Sequence, residues 1–407
     1  MPPSLAAPLR PPLRRWLEAR QTVRQVLSAL RQSPNAHLIG APDSRARLAT
    51  PALLLDLDAF EYNVAAMSAY CREANLGLRP HFKANKCTRI AALQKIAGAV
   101  GLAAATVREA EALIAGGLGE VLITSPVVGE MKLSELCALV AEGAELMVVV
   151  DNVEQMQALD VALGSEHQGL AVLVDIDVGM KRTGVPTVAE AVRLGHAVKH
   201  SKNLKYAGIQ CYSGMVQHIA RAAERAAVYE AELKHLAAVV LELRRTGLAP
   251  SIVSGGGTGT FDIDRRMQLL TEVQCGSYVF MDVEYGAIEL FASEAQPFRQ
   301  ALFVQSIVLS NSHAGRVTID AGIKCFATDG PTPLPARGAP AGARYDYDGD
   351  EFGMLAFADP SERLALASKV EILVPHCDPT VNLHDFLHCV RGDLLVDIWP
   401  VDARGSL

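Results

Sequence analysis

The sequence predicts an α/β chain, a (β/α)8 TIM-like barrel with a C-terminal all-β domain, and three observations carry that prediction. From Thr50 to Ser254, short apolar runs alternate with segments of helical spacing, the rhythm of repeated βα units. After about residue 291 the rhythm changes to strand-like runs with no long helices between them. At 407 residues the chain also exceeds what one hydrophobic core usually serves, which favours two domains.

Residues 1–48 read as a leader and an amphipathic helix packing on the body. The leader is rich in proline and arginine, has no acidic residue over residues 1–15 and lacks the apolar stretch of a secretory signal. Val23, Val26, Leu27 and Leu30 follow helical spacing within residues 15–31. A transit peptide is the alternative reading of this segment.

Residues 49–290 are assigned to the barrel. Its expected strands are 52–57, 78–82, 101–105, 121–124, 145–150, 170–176, 206–211 and 251–254, with helices over 59–73, 107–115, 153–163, 188–199 and 219–246. Such barrels keep their chemistry at the C-terminal ends of the strands, where Lys83, Asp175, Tyr212 and the cluster Ser254-Gly255-Gly256-Gly257-Thr258-Gly259 fall. Residues 291–407 form the β-domain, with strands expected over 301–310, 315–320, 364–370, 371–374 and 394–399. The Gly-, Pro- and Asp-rich stretch 328–353 reads as a long loop. Its Asp346-x-Asp348-x-Asp350 is no calcium loop, because Glu351 and Phe357 stand where that pattern needs Gly and Glu.

Half the residues are hydrophobic and a fifth charged, a globular composition, and the net charge of −7 argues against nucleic acid as a partner. No apolar run reaches the roughly 18 residues of a membrane span. The eight cysteines are scattered without a CxxC pair, which fits reduced thiols in a cytoplasm.

Among single motifs, Arg79-Pro80-His81-Phe82-Lys83-Ala84-Asn85-Lys86 is the most informative. A lysine at a strand end meets a carbonyl as a nucleophile when desolvation or a neighbouring cation lowers its pKa, and Lys86 is such a cation three residues on. The glycine cluster suits phosphate, because glycine lets backbone N–H groups approach closely and Thr258 adds a hydroxyl. It lacks the GxGxxG spacing of a dinucleotide fold. In the β-domain, His376 and Asp378 would share one face of an extended chain and together suit a divalent cation, although a hydrogen-bonded His/Asp turn fits the same string. His384 and His388 are spaced i, i+4 without the glutamate of a metalloprotease helix and read as structural.

The lysine motif, Asp177-Val178-Gly179-Met180-Lys181-Arg182-Thr183-Gly184, Tyr212-Ser213-Gly214, Ser254-Gly255-Gly256-Gly257-Thr258 and His376-Cys377-Asp378-Pro379-Thr380, in that order, resemble the D-threonine aldolase and D-serine dehydratase family. These are pyridoxal phosphate enzymes of alanine-racemase-like architecture, and the likeness runs from about Thr50 to the C-terminus. The resemblance implies pyridoxal 5'-phosphate on Lys83 as a Schiff base. It implies a phosphate site from Gly255, Gly256, Gly257, Thr258, Gly276 and Tyr278, Arg182 near the cofactor's phenolic oxygen, and Tyr212 beside its ring. It further implies His218 as the base, a divalent metal (manganese first, magnesium or zinc otherwise) on His376 and Asp378, and a homodimer. Asn85 stands where many relatives have His, a departure that bears on substrate preference.

In this family His-x-Cys looks like the zinc dehydratase branch and His-x-Asp like the aldolase branch, and the third position here is Asp378. The expected activity is therefore metal-assisted retro-aldol cleavage of a small 3-hydroxy D-amino acid, D-threonine-like, to glycine and an aldehyde. A D-serine or D-3-hydroxyaspartate dehydratase is the alternative. A racemase would need an opposite-face tyrosine, and Tyr345 and Tyr347 fall in the expected loop. A non-catalytic pyridoxal phosphate carrier would need no metal pair.

Overall fold

The computed structural model describes residues 32–164, 169–291 and 296–406; the helix expected over 15–31 lies outside them. Residues 32–48 dock on the β-domain, where Arg45 forms a two-pronged ion pair with buried Glu371 at 2.6 and 2.7 Å.

The first strand, β1 (Ala52–Asp56), departs from the expected barrel. It runs antiparallel to β10 (Leu302–Ser310) and parallel to β16 (Phe386–Arg391), at the centre of the second sheet. Its continuous apolar run suits any strand covered on both faces, so composition alone could not assign it to a sheet.

The barrel consists of β2 (Gly77–Leu78), β3 (Leu102–Ala104), β4 (Val121–Ile123), β5 (Leu146–Val150), β6 (Leu170–Ile176), β7 (Leu204–Cys211), β8 (Ile252–Gly255) and β9 (Glu272–Val273), all parallel. The missed eighth strand is thus β9, only two residues long. The ring closes between β2 and β3, where Leu78 O accepts from Val100 N–H at 2.8 Å and Pro80 O from Ala103 N–H at 2.9 Å. Arg79 locks this seam. Its guanidinium meets both oxygens of buried Glu272 on β9 at 2.6 and 3.0 Å and donates to Glu120 O at 2.7 Å. Gly101 makes room for it, since a Cβ there would lie 1.9 Å from Arg79 Nη1.

Between the strands, four of the helices begin on residues whose side chains accept a first-turn N–H. Asp56 caps Leu57–Glu73, Thr106 caps Val107–Ala115, Asn152 caps Val153–Leu163 and Thr187 caps Val188–His200. These caps fix where each helix leaves its strand and hence the shape of the barrel mouth.

The second sheet adds β11 (Arg316–Ile319), β12 (Leu334–Pro335), β13 (Arg344–Tyr347), β14 (Gly353–Ala356), β15 (Lys369–Leu373) and β17 (Leu394–Pro400), in the order β13-β14-β11-β10-β1-β16-β17 with β15 against β10 and β12. The stretch expected as a loop therefore holds most of a hairpin. β13 and β14 pair across a turn in which Gly349 has φ 132°, and Asp348 N–H donates to Phe352 O at 3.0 Å. Tyr345 and Tyr347 are strand residues there, with their hydroxyls bound to Ala321 O and Ala327 O. No helix among the described residues is long and apolar enough to cross a membrane.

Candidate active site

The barrel mouth and the segment after β15 meet over Lys83. The lysine lies in a short 3-10 turn, Phe82–Ala84, just beyond the bridge of His81 to Ala103. Its Nζ pairs with Asp378 across the domains. That carboxylate raises the lysine's pKa above its ordinary value against the effect of burial. For Asp378, burial works to raise the pKa, but the Lys83 ammonium and then His376 outweigh it and hold the carboxyl well below the usual range. Lys86 does not depress Lys83 as its spacing suggested. With φ 47° it turns away, and its Nζ pairs with buried Glu109 at 2.8 Å.

His81 is fixed as a neutral imidazole. Thr124 spends its one hydroxyl proton on Ala104 O at 3.1 Å, so it can only accept from His81 Nε2–H, also at 3.1 Å. Nδ1 is left to accept from Lys83 N–H at 3.4 Å. Burial and then the Lys83 charge lower this imidazole's pKa to about 3. His81, Lys83, Asp175, Arg182 and Tyr212 line a cavity of about 220 Å³. Arg182 lies over Tyr212, with Cζ 5.5 Å from the ring centroid. Its loop is held by Asp177, whose Oδ1 accepts from Gly179 and Lys181 N–H at 2.9 and 3.0 Å. Asp175, bonded to Thr183 and Gln210, has its pKa pushed up to about 6 by burial.

The glycine turn follows β8. Gly256 has φ 64°, and a Cβ on Gly255 would lie 2.3 Å from Cys211 O, so both positions require glycine. Thr258 Oγ1 accepts from Tyr278 N–H at 3.2 Å and ties this turn to the 276–278 segment. Gly276 sits against the lysine turn, its Cβ position 3.1 Å from Ala84 Cβ. The amide N–H groups of Gly256, Thr258, Gly276 and Ser277 meet no acceptor among the described residues, an arrangement that fits a phosphate. Tyr278 is placed differently from the rest. Its ring is fully buried and its hydroxyl accepts from Gln94 Nε2 at 3.0 Å, so its phenol joins the core and its backbone joins the turn.

His376 and Asp378 do not lie on a strand. His376 is the N-cap of a short helix, Cys377–Val381, and Asp378 is in its first turn. The helix start still directs both toward the mouth: Asp378 accepts from Lys83 and, at 3.4 Å, from Ser277 Oγ. His376 Nδ1 meets Asp329 Oδ2 at 3.0 Å. Among the described residues no cluster of three or more His, Cys, Asp or Glu side chains could hold a metal ion. Cys377 is fully buried, its thiol pushed far up in pKa by burial, and its N–H is held by Asp282 Oδ2 at 2.8 Å.

His218 closes the site. Its Nδ1 lies 3.1 Å from Glu284 Oε1, and its ring packs 5.1 Å from that of Tyr285. Burial lowers its pKa, opposed by the Glu284 charge. Glu284 lies in the short helix Val283–Gly286, whose N-cap Asp282 accepts from both Tyr285 N–H and Cys377 N–H, while Glu284 N–H donates to Pro375 O at 3.2 Å. One helix thus holds both the His218 partner and the 375–378 segment. Sequence reading missed His81, Ser277, Glu284 and Asp329 at the mouth; only His81, inside the lysine motif, and Ser277, between Gly276 and Tyr278, carried a signal.

Residues 55–284 match the alanine racemase N-terminal domain, and residues 301–390 match the putative serine dehydratase domain. The chain is 37% identical over 364 residues to a D-threonine aldolase of an Arthrobacter species, covering 89% of this chain and 94% of the relative. It is 35% identical to a 3-hydroxy-D-aspartate aldolase of Paracoccus denitrificans, covering 88% and 92%. The crystal structure of D-threonine aldolase from Filomicrobium marinum superposes with a TM-score of 0.85 at 39% identity, over 89% of this chain and 97% of that one. A metal-free form of D-threo-3-hydroxyaspartate dehydratase is more distant, with a TM-score of 0.79 at 26% identity over 88% and 98%. The chain belongs to the family that joins an alanine racemase N-terminal domain to a putative serine dehydratase domain, the family of the D-threonine and 3-hydroxy-D-aspartate aldolases.

Proposed function

We propose that this protein is a pyridoxal 5'-phosphate-dependent carbon–carbon lyase that cleaves 3-hydroxy D-amino acids of the D-threonine type to glycine and an aldehyde, assisted by a divalent metal, manganese in the first instance. The observation that carries the reading is the meeting of Lys83, Asp378, His376 and the His218–Glu284 pair at one barrel mouth. Lys83 would carry the cofactor, with Arg182 and Tyr212 beside it and the turns of Gly255, Gly256, Gly257, Thr258 and Gly276 at its phosphate. The cofactor supplies an electron sink that makes a bond to Cα breakable. A cation on His376 and Asp378 supplies Lewis acidity for the β-hydroxyl.

The remaining work falls to the protein's own side chains. Glu284 holds the proton of His218 on Nδ1, which leaves Nε2 to accept the β-hydroxyl proton as the Cα–Cβ bond breaks. Burial favours neutral His218, the form that can act as a base. His81, locked by Thr124, gives the lysine turn a partner that carries no charge. The two residues assigned to the cation, a His376 ring nitrogen and the Asp378 carboxylate, would suit manganese or magnesium better than a thiolate-bearing zinc site.

We further propose a homodimer. Exposed Ile323 and Phe352 would contribute apolar surface to the contact with a second copy. The activity is tested by supplying D-threonine and L-threonine separately and assaying acetaldehyde. Release from the D-isomer alone is expected, and no release from either would overturn the reading.

A further inference from the structure

We propose that Asp329 is a positioning residue that fixes His376 as a metal ligand, by accepting its Nδ1–H and leaving Nε2 as the one ring nitrogen free to bind the cation. The inference rests on the reading that His376 and Asp378 hold the metal. Its geometry comes from a segment with no motif of its own.

The contact itself is 3.0 Å between His376 Nδ1 and Asp329 Oδ2, and Nε2 has no hydrogen-bond partner among the described residues. An imidazole whose far nitrogen donates to a carboxylate has one tautomer and one ring orientation, and its free nitrogen becomes a stronger donor.

The placement is held by a relay through Thr380. Its hydroxyl donates to His376 O at 2.7 Å and accepts from Ala327 N–H at 2.9 Å, tying the segment before Asp329 to the helix that His376 caps. Tyr347 pins the same residue from the other side, its hydroxyl donating to Ala327 O at 2.9 Å. Past Asp329 the chain packs directly on the histidine, because a Cβ on Gly330 would lie 3.3 Å from His376 Cβ. A surface ion pair between an exposed aspartate and a histidine needs none of these ties. Here the chain at both ends is anchored by buried and part-buried hydrogen bonds, while the Asp329 carboxylate itself is exposed.

The test is manganese binding to full-length, cofactor-loaded protein, measured by calorimetry on the unmodified chain and on Asp329→Asn, Asp329→Ala and His376→Ala. Loss of such an outer partner typically weakens metal binding about 10- to 100-fold, so Asp329→Ala should raise the Kd by that factor. Asp329→Asn, which keeps an acceptor and loses the charge, should fall between it and the unmodified protein. A thermal melt of each variant is the companion readout, since a purely structural aspartate would lower Tm and leave the Kd alone. Unmodified affinity in both Asp329 variants, with binding lost in His376→Ala, overturns the role of Asp329 and leaves the metal site standing. Unmodified affinity in His376→Ala overturns the metal site itself.

Discussion

Replacing Glu284 with glutamine probes the chemistry at a single charge. Gln keeps the shape and an acceptor oxygen for His218 Nδ1–H, so the imidazole stays in place with Nε2 free; what disappears is the negative charge 3.1 Å from the ring. A hydrogen bond to a charged group is worth about 1.5–3 kcal/mol against about 1 kcal/mol for a neutral one. Partial exposure of the Glu284 carboxylate to water screens the difference to roughly 1 kcal/mol. At about 1.4 kcal/mol per tenfold change in rate, kcat should fall roughly 3- to 10-fold. The pH profile moves in a definite direction. Burial lowers the pKa of His218, Glu284 raises it, and His376 and Lys83 lower it further. Without the Glu284 charge only Asp378, the smallest of these causes, still opposes the lowering, so the acid limb of kcat/KM shifts to lower pH even as the plateau drops. Glu284→Ala frees the ring as well and should cost about 10- to 100-fold, within the range of general-base contributions. Steady-state D-threonine cleavage coupled to aldehyde reduction, run between about pH 5 and 9, reads both effects. A Gln variant with unchanged kcat and an unmoved acid limb would refute the assignment of His218 and Glu284.

Three further outcomes are expected. Lys83→Ala should lack the visible absorption of lysine-bound cofactor and take up no borohydride label at position 83; retention of either removes Lys83 from its role. Chelation should abolish turnover while the cofactor's absorption persists, with manganese restoring activity, and Asp378→Cys should raise zinc affinity while lowering cleavage about 10- to 100-fold. Full turnover in metal-free protein contradicts both statements. Arg79→Ala, which strands the buried Glu272 carboxylate at the barrel seam, should cost about 3–5 kcal/mol in a denaturant melt, and a loss below about 1 kcal/mol would show that the seam does not depend on the pair.

Much of the architecture was legible because the barrel strands are apolar runs separated by amphipathic helices. The helices Val107–Ala115 and Val153–Leu163 have the bounds their spacing suggests. What failed were segments whose identity is set by distant partners. β1 reads as a barrel strand but pairs with β10 and β16, about 250 and 330 residues away in the chain. β9 is too short to show a pattern, and glycine and proline mask the β13–β14 hairpin. At the site, the motifs contain Lys83, Arg182, Tyr212, the glycine turn, His376 and Asp378, which the fold places near the barrel mouth. They could not reveal Glu284 or Asp329, each a lone acidic residue delivered by tertiary packing. Nor could they show that Lys86, three residues from Lys83, turns away to Glu109.

The most direct test of the central claim is the partition of products from D-threonine in one reaction, with glycine, acetaldehyde, 2-oxobutyrate and ammonia quantified together in the presence of manganese. Cleavage at a site built on Asp378 predicts glycine and acetaldehyde in equal amounts, with 2-oxobutyrate and ammonia at blank level. Formation of 2-oxobutyrate and ammonia without glycine would contradict it and establish the dehydratase reaction instead.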